Sequence, residues 1–532
     1  MTTETIDAPP SVRVPAAPVP PVPPAPRFGI LWRRTLRRSV LVPLTVLAPL
    51  VALAPTADHR YNLYWHGGMF AGDPAGIVRH TLGTVDTYLR LGNFRPLGRM
   101  LEKSLDLAAY ALTSLLGLPV NVSFRLVSFV SAVVLTVAAV MFAECLVNRG
   151  RLFRQAPSRL AATVPFAAGA GLVAAGSASP VVLFGGTYLL SGALVLGVAA
   201  AVCRVDRERR RIGRWRGGLL LLGGAALASF NEIAYLALPF ATVAVLVRGL
   251  IVLLGHPRQV LTGAPARVIA LLWLGFLPVF GVVRAVIYSH CADGACYRGS
   301  DVALGPDVLA AAPVRMVAWL PPLMWRTATE GGRPWLGGLM PVLALVVLAG
   351  LGWRAIRDLP RLSGVDRRQI AGVIVSAVAL IVLGGTLGGL NADVQALVAD
   401  GRWGQGWRDT AVTAAAGALL LTALGHAVLT GPRFRRAGPA VLIVVLAASG
   451  VVTAAANKRY ADRLGAGAPA QLANRVAGEM ARFDRSAAGN ARRCALRQEF
   501  RIRYADSAFS LRRFDESLDV AAQHLAGVRF CA

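Results

Sequence analysis

The stretch Leu126-Val127-Ser128-Phe129-Val130-Ser131-Ala132-Val133-Val134-Leu135-Thr136-Val137-Ala138-Ala139-Val140-Met141-Phe142-Ala143 carries no charged side chain. Wound as a helix at about 1.5 Å per residue it covers roughly 27 Å, close to the hydrocarbon thickness of a bilayer. A backbone in lipid must satisfy its own peptide groups, which leaves helices or closed barrels. The ten-residue alternation of a barrel strand is missing from the chain, so the helix is the expectation. Runs of this kind recur on both sides, near 39–56, 121–146, 160–177, 180–203, 216–230, 233–254, 268–289, 336–353, 370–390, 409–430 and 438–456. The 532 residues are 55% apolar and 16% charged, with a mean hydropathy of +0.55. That composition needs lipid as solvent. The expected fold class is all-α: a polytopic helical membrane protein of about 11 crossings with a small extracytoplasmic helical C-terminal domain.

The formal net charge of +28 comes mostly from arginines in short loops between apolar runs. No RNA- or DNA-binding motif accompanies them, so the expected partners are membrane lipids and not nucleic acid. Residues 1–30 are proline-rich (Pro18, Pro20, Pro21, Pro23 and Pro24 among others) and read as a disordered cytoplasmic tail. Arg33, Arg34, Arg37 and Arg38 follow and hold the N-terminus inside. With eleven crossings, the loops holding Arg149–Arg159, Arg204–Arg216, Arg258–Arg267, Arg354–Arg368 and Arg433–Arg436 all fall on that same side. Residues 31–456 then form the membrane domain, with outer loops 57–120 and 290–335 and a shorter one at 391–408. Residues 457–532 form the outer C-terminal domain. The expected localisation is the cell membrane, with the C-terminus extracytoplasmic.

Four of six cysteines fall outside under this topology, where disulfides persist. Three pairings are open to them; Cys291 with Cys296 and Cys494 with Cys531 join residues on one short element each. A metal site is not expected, since His290 alone lies near a cysteine pair. In the tail, Leu472, Val476, Met480 and Phe483 recur at helical spacing, and Tyr504, Phe509, Leu511 and Phe514 complete a small core.

The first outer loop begins Ala57-Asp58-His59-Arg60-Tyr61-Asn62 and continues through Asp73-Pro74, Asp86 and Asn93-Phe94-Arg95-Pro96-Leu97. An apolar stretch, Ser104 to Leu118, follows Glu102 and Lys103 and reads as a helix lying in the membrane interface. Asn121-Val122-Ser123-Phe124-Arg125-Leu126-Val127 opens the next span. Further on comes Asn231-Glu232-Ile233-Ala234-Tyr235-Leu236-Ala237-Leu238-Pro239. An acid at the start of the loop, an aromatic-Arg-Pro-Leu element, an Asn…Phe-Arg-Leu-Val opening and an acid before an apolar-Pro stretch together resemble the GT-C membrane glycosyltransferases, closest to the protein O-mannosyltransferase and TMTC-like type. The resemblance covers roughly residues 40–250. Two departures stand out: the family usually has Lys where Asn231 stands, and its paired acids in this loop are here Asp58 followed by His59.

The resemblance implies sugar transfer, with inversion, from a polyprenyl-phosphate sugar donor to an extracytoplasmic glycan or protein acceptor. No cofactor is expected, and nothing in the residues calls for a divalent metal. Such transfer needs a carboxylate base for the acceptor hydroxyl. Asp58 is the first choice, Asp73 the second although Asp-Pro is also a turn former, with Asp86 behind. The leaving phosphate needs fixed positive charge. Arg95 leads, followed by Arg60 and Arg99, then Arg326, Arg333, Arg402 and Arg408. Glu232 sits in an apolar stretch, where an ionisable group must face a cavity or a partner. It is either an acid-base participant or the partner of an arginine. His80 and His426 read as structural or surface residues. Two other functions stay open. A lipid or polymer transporter or flippase would show repeats and mid-membrane charges, and no repeat is visible; the other is a non-catalytic membrane scaffold.

Overall fold

A computed structural model describes residues 28–55, 59–148, 150, 152–205, 212–291, 302–429, 437–503 and 508–532. Every regular element among them is helical, with two isolated β-bridges besides. Helix α1 (Phe28–Leu47) continues as a 3-10 turn to Ala52. The first loop follows as α2 (His59–Phe70), α3 (Gly76–Gly83), α4 (Val85–Arg90) and α5 (Pro96–Leu116). Then come α6 (Val120–Val147), α7 (Arg159–Gly171), α8 (Thr187–Cys203), α9 (Arg214–Ala228), α10 (Ala237–Val247), α11 (Pro257–Thr262) and α12 (Ala264–Cys291). The second half holds α13 (Asp307–Val317), α14 (Pro321–Ala328), α15 (Leu339–Asp358), α16 (Arg367–Gly389), α17 (Ala392–Ala399), α18 (Thr410–Leu429) and α19 (Gly438–Ala466). Three helices end the chain: α20 (Ala468–Ala481), α21 (Ala487–Arg503) and α22 (Ala508–Ala526).

Local chemistry places many of these ends. Ser158 accepts from the Ala161 amide to start α7, and Asp366 with Gln369 forms a capping box on α16. Pro96 occupies the first position of α5, where a missing amide hydrogen costs nothing, and Gly117 stops that helix in the left-handed region at φ 63°. The apolar stretch from Ser104 is only the later part of this helix. The structure starts it at Pro96, which puts Glu102, Lys103 and Asp106 inside the helix and buried, while Leu115 and Leu116 face outward.

Eight helical segments, counted among the described residues, are long and apolar enough to cross a membrane. They coincide with eight of the eleven expected runs. The other three fall on α7, α8 and α9, of 13, 17 and 15 residues. Fifteen residues of helix reach only about 22 Å, short of a full hydrocarbon core. After α7 the chain runs irregularly from Leu172, and its peptide groups are met by protein: Asn457 accepts from Ala174 N and donates to the carbonyls of Leu172 and Val46. Irregular backbone at depth is tolerated where protein covers it in this way. The pair α13 and α14, inside the expected outer loop 290–335, is bent by 98° and is a broken span or a re-entrant loop.

Helix α19 passes through residue 457 to Ala466, so the membrane part and the tail meet inside a continuous helix. Nor does the tail keep a core of its own. Leu472, Val476, Met480, Leu496, Phe500, Phe514 and Leu518 share one apolar cluster with Leu63, Tyr64, Ala109, Tyr110 and Phe124 of the first loop and α6. Helix α22 lies against α2, where Gly68 is the close point: a Cβ there would come within 2.8 Å of the Ala521 backbone. Tyr110 donates to the Ala521 carbonyl at 3.1 Å. The tail residues expected to form a core (Leu472, Val476, Met480, Phe514) are buried, and Phe483 and Leu511 pack beside them; Tyr504 lies outside the described residues, as does the Phe509 side chain. A disulfide joins Cys494 to Cys531. The expected Cys291–Cys296 pairing lies outside the described residues, since Cys296 is not among them.

Candidate functional site

The start of α5 docks onto the turn between α9 and α10. Leu97 N donates to Ser229 O at 3.0 Å and Gly98 N to Phe230 O at 3.1 Å. A Cβ on Gly98 would stand 2.3 Å from the Phe230 carbonyl oxygen, so only glycine permits this approach. Asn231 fixes the turn from the other side, donating to Ser191 Oγ at 2.7 Å and accepting from Ala234 N at 3.0 Å. In consequence, two sequence elements more than a hundred residues apart, Phe94–Leu97 and Asn231–Glu232, lie together.

Arg95 and Glu232 face each other across this joint at 3.9 Å, and Arg408, from the end of the third expected outer loop, reaches the other Glu232 oxygen at 4.0 Å. Both distances exceed a hydrogen bond. Arg95 Nη1 donates weakly to Tyr188 Oη at 3.4 Å, and Arg408 lies over the Tyr188 and Trp407 rings at 5.5 and 5.7 Å. Arg95 is 8% exposed, yet its Nε has no hydrogen-bond partner. Burial alone would push the Glu232 carboxyl up, but Arg95 and then Arg408 outweigh it and hold the group below its ordinary value. Burial would likewise lower Arg95; Tyr188 and Glu232 reverse that and raise it. A cavity of about 80 Å³ opens beside the group, lined by Glu232, Asn391, Trp407, Arg408 and Asp409.

Arg315 anchors that wall. It is 2% exposed, grips both oxygens of Asp409 at 2.8 and 3.0 Å, and donates to Gln405 O and Thr410 Oγ1. A satisfied buried pair of this kind locks the bent α13–α14 pair to the start of α18, one residue from Arg408.

A second polar group lies further along α5, about two to three turns beyond Arg95. Asp106, 1% exposed, accepts from His66 Nδ1 at 2.7 Å, with His59 Nδ1 3.7 Å from its other oxygen. Burial raises the Asp106 carboxyl, and the two histidines bring it below the usual carboxylate range. Lys103, 2% exposed, donates to His80 Nδ1 at 2.8 Å and to Thr81 Oγ1 at 3.0 Å. Burial, helped by Arg99, pushes its ammonium down to about 8. His80 is lowered by burial and by Lys103. None of Lys103, Asp106 and His66 was expected as a site residue. The signal was present: Arg95, Arg99, Glu102, Lys103 and Asp106 recur at helical spacing on one face of α5.

The other expected residues divide. Asp58 and the side chain of Arg60 lie outside the described residues. Arg99 is on the site's helix, 3.7 Å from Glu102 and over the Tyr88 ring. Asp73 is exposed, accepts from Gly76 N at 3.1 Å and pairs with Arg79, the behaviour of a turn former. Asp86 pairs with Arg90 at the surface. Among the described residues the ion pairs of Glu232 are with Arg95 and Arg408, and Arg326, Arg333 and Arg402 take no part in them. His426 is buried within α18, 3.4 Å from Thr163. No group of three or more His, Cys, Asp or Glu suited to a metal ion occurs among the described residues. No family model, curated protein or solved structure matches the chain.

Proposed function

We propose that this protein is a GT-C-type membrane glycosyltransferase that moves a sugar from a polyprenyl-phosphate donor to an extracytoplasmic glycan or protein. The carrying observation is the assembly of Arg95 and Arg408 around Glu232 at pairing distances too long for hydrogen bonds. Two guanidinium groups share one carboxylate, so positive charge is in excess and donors remain for a phosphate. In the transfer, the acceptor oxygen attacks the anomeric carbon while Asp58 takes its proton, and the bond from that carbon to the phosphate oxygen breaks. The leaving polyprenyl phosphate gains a negative charge as it departs. Arginines placed where charge develops stabilise that transition state more than the ground state. Glu232 keeps the two arginines oriented when donor is absent.

In this reading the chain crosses the membrane eleven times, α7, α8 and α9 included, with the N-terminus cytoplasmic. The first loop, Glu232 and the C-terminal helices then share the extracytoplasmic side, and α20–α22 cap the loop they pack on. A lipid or polymer transporter is a second reading, favoured by the 98° break between α13 and α14, because broken helices line transport paths. Replacing Asp58 with Asn in the full chain and following lipid-linked sugar turnover separates the two. Transfer should stop at normal protein levels. Normal turnover, or loss of lipid movement without loss of transfer, would remove Asp58 as the base.

A further inference from the structure

Between α1 and α15 lies a site that the proposed transfer does not use. Arg34, Arg37 and Arg38 on α1 meet Arg354, Arg357 and Arg361 on and just after α15 around a cavity of about 610 Å³. Among the described residues lining the cavity, one carboxylate, Asp358, answers these six cations. It is 3% exposed and is engaged by Arg34 at 2.6 Å and by the buried Arg38. Arg38, which is 3% exposed, is among the residues lining the cavity, and its buried Nη1 has no hydrogen-bond partner. Like charges gathered around open space favour an anion there.

We infer that this cavity holds the headgroup of a phospholipid carrying more than one negative charge. Phosphate matches the fork of guanidinium donors. The lipid source follows from α15. Residues Leu343, Val347, Gly350, Arg354 and Arg357 alternate by four and three positions, so one stripe of α15 runs from apolar to cationic, and Arg361 follows in the 3-10 turn after it. Leu343 and Val347 are 46% and 39% exposed. An acyl chain lying on this stripe delivers its phosphate to the arginines. Basic pockets between membrane helices recognise multiply charged headgroups on this basis.

The test uses the full-length protein in phosphatidylcholine nanodiscs, with and without cardiolipin, read by native mass spectrometry and thermal unfolding. Cardiolipin should be retained over phosphatidylcholine and should raise the unfolding midpoint. Arg354→Gln, Arg357→Gln and Arg361→Gln leave the Asp358 pairs in place; each should weaken retention about fivefold and the triple change about a hundredfold. The triple Lys variant should recover much of that loss, which a folding defect would not allow. Retention unchanged in the triple Gln variant overturns the site. Inorganic pyrophosphate raising the midpoint as much as cardiolipin, and displacing it, overturns the lipid assignment in favour of a soluble anion.

Discussion

Two arginine clusters, one around Asp358 and one around Glu232, solve opposite problems with the same side chain. Around Asp358 the carboxylate is consumed: Arg38 and Arg34 hold it closely, and the remaining arginines stand exposed around a wide cavity. Around Glu232 the carboxylate is only approached, at 3.9 and 4.0 Å; Tyr188 meets both arginines, Trp407 lies against Arg408, and a small cavity opens beside Glu232 and Arg408. A tight pair fixes structure and leaves neighbouring charge for a ligand. A loose pair holds a place that a phosphate can take over. Arg315 with Asp409, and Arg125 donating to the carbonyls of Leu53, Ala54 and Val182, mark the fully satisfied extreme, where the arginine has only a structural role.

The largest effect should come from the tight pair. Asp358→Leu leaves the buried Arg38 without its counter-charge, which costs about 3–5 kcal/mol; thermal unfolding in one fixed membrane mimic measures it. A small change there would make the two carboxylates equivalent and dissolve the contrast. Arg95→Gln and Arg408→Gln should each lower sugar turnover by about a hundredfold to a thousandfold while the unfolding midpoint moves little. Equal losses of stability and turnover would instead place Arg95 with Arg315, as a structural residue.

Lys103 sharpens the comparison from the middle of α5. Its ammonium sits at about 8 in the fold against 10.5 ordinarily, so between those values the unfolded chain binds more protons and stability rises as pH rises. Wild type should gain up to about 3 kcal/mol across that window relative to Lys103→Met. Parallel pH profiles for the two proteins would refute the buried, weakened ammonium. The smallest effect is expected of Gly98→Ala, whose methyl group must push back the Phe230 carbonyl at a cost of about 1–3 kcal/mol. Because that contact sets the Arg95–Glu232 distance, turnover should fall more than stability, measured on the same preparation.

Much of the fold is legible in the chain because the hydropathy of a span is local. Eight apolar runs read from the sequence fall on helices long enough to cross a bilayer, and the turns around Gly117 and Asp366 follow from their residue types. The candidate site was only half legible. Arg95 and Glu232 could be singled out, one by its triplet and the other by its apolar surroundings. Arg408 stood low among many surface arginines, because its value lies in a neighbour distant in sequence. Asp106 and Lys103 look like ordinary charges beside a short interface helix, though their spacing from Arg95 and Arg99 puts them on one face of a longer one.

Composition and the length of its apolar runs thus determined by themselves that this chain is a helical membrane protein. Those properties add residue by residue, and no partner is needed to express them. Tertiary structure alone decided that the C-terminal helices share a core with the first loop, that Asn457 satisfies the broken backbone after α7, and that Glu232 stands between Arg95 and Arg408. Each of these depends on which helices touch, and small residues such as Gly68 and Gly98 set those contacts by how closely they let backbones approach.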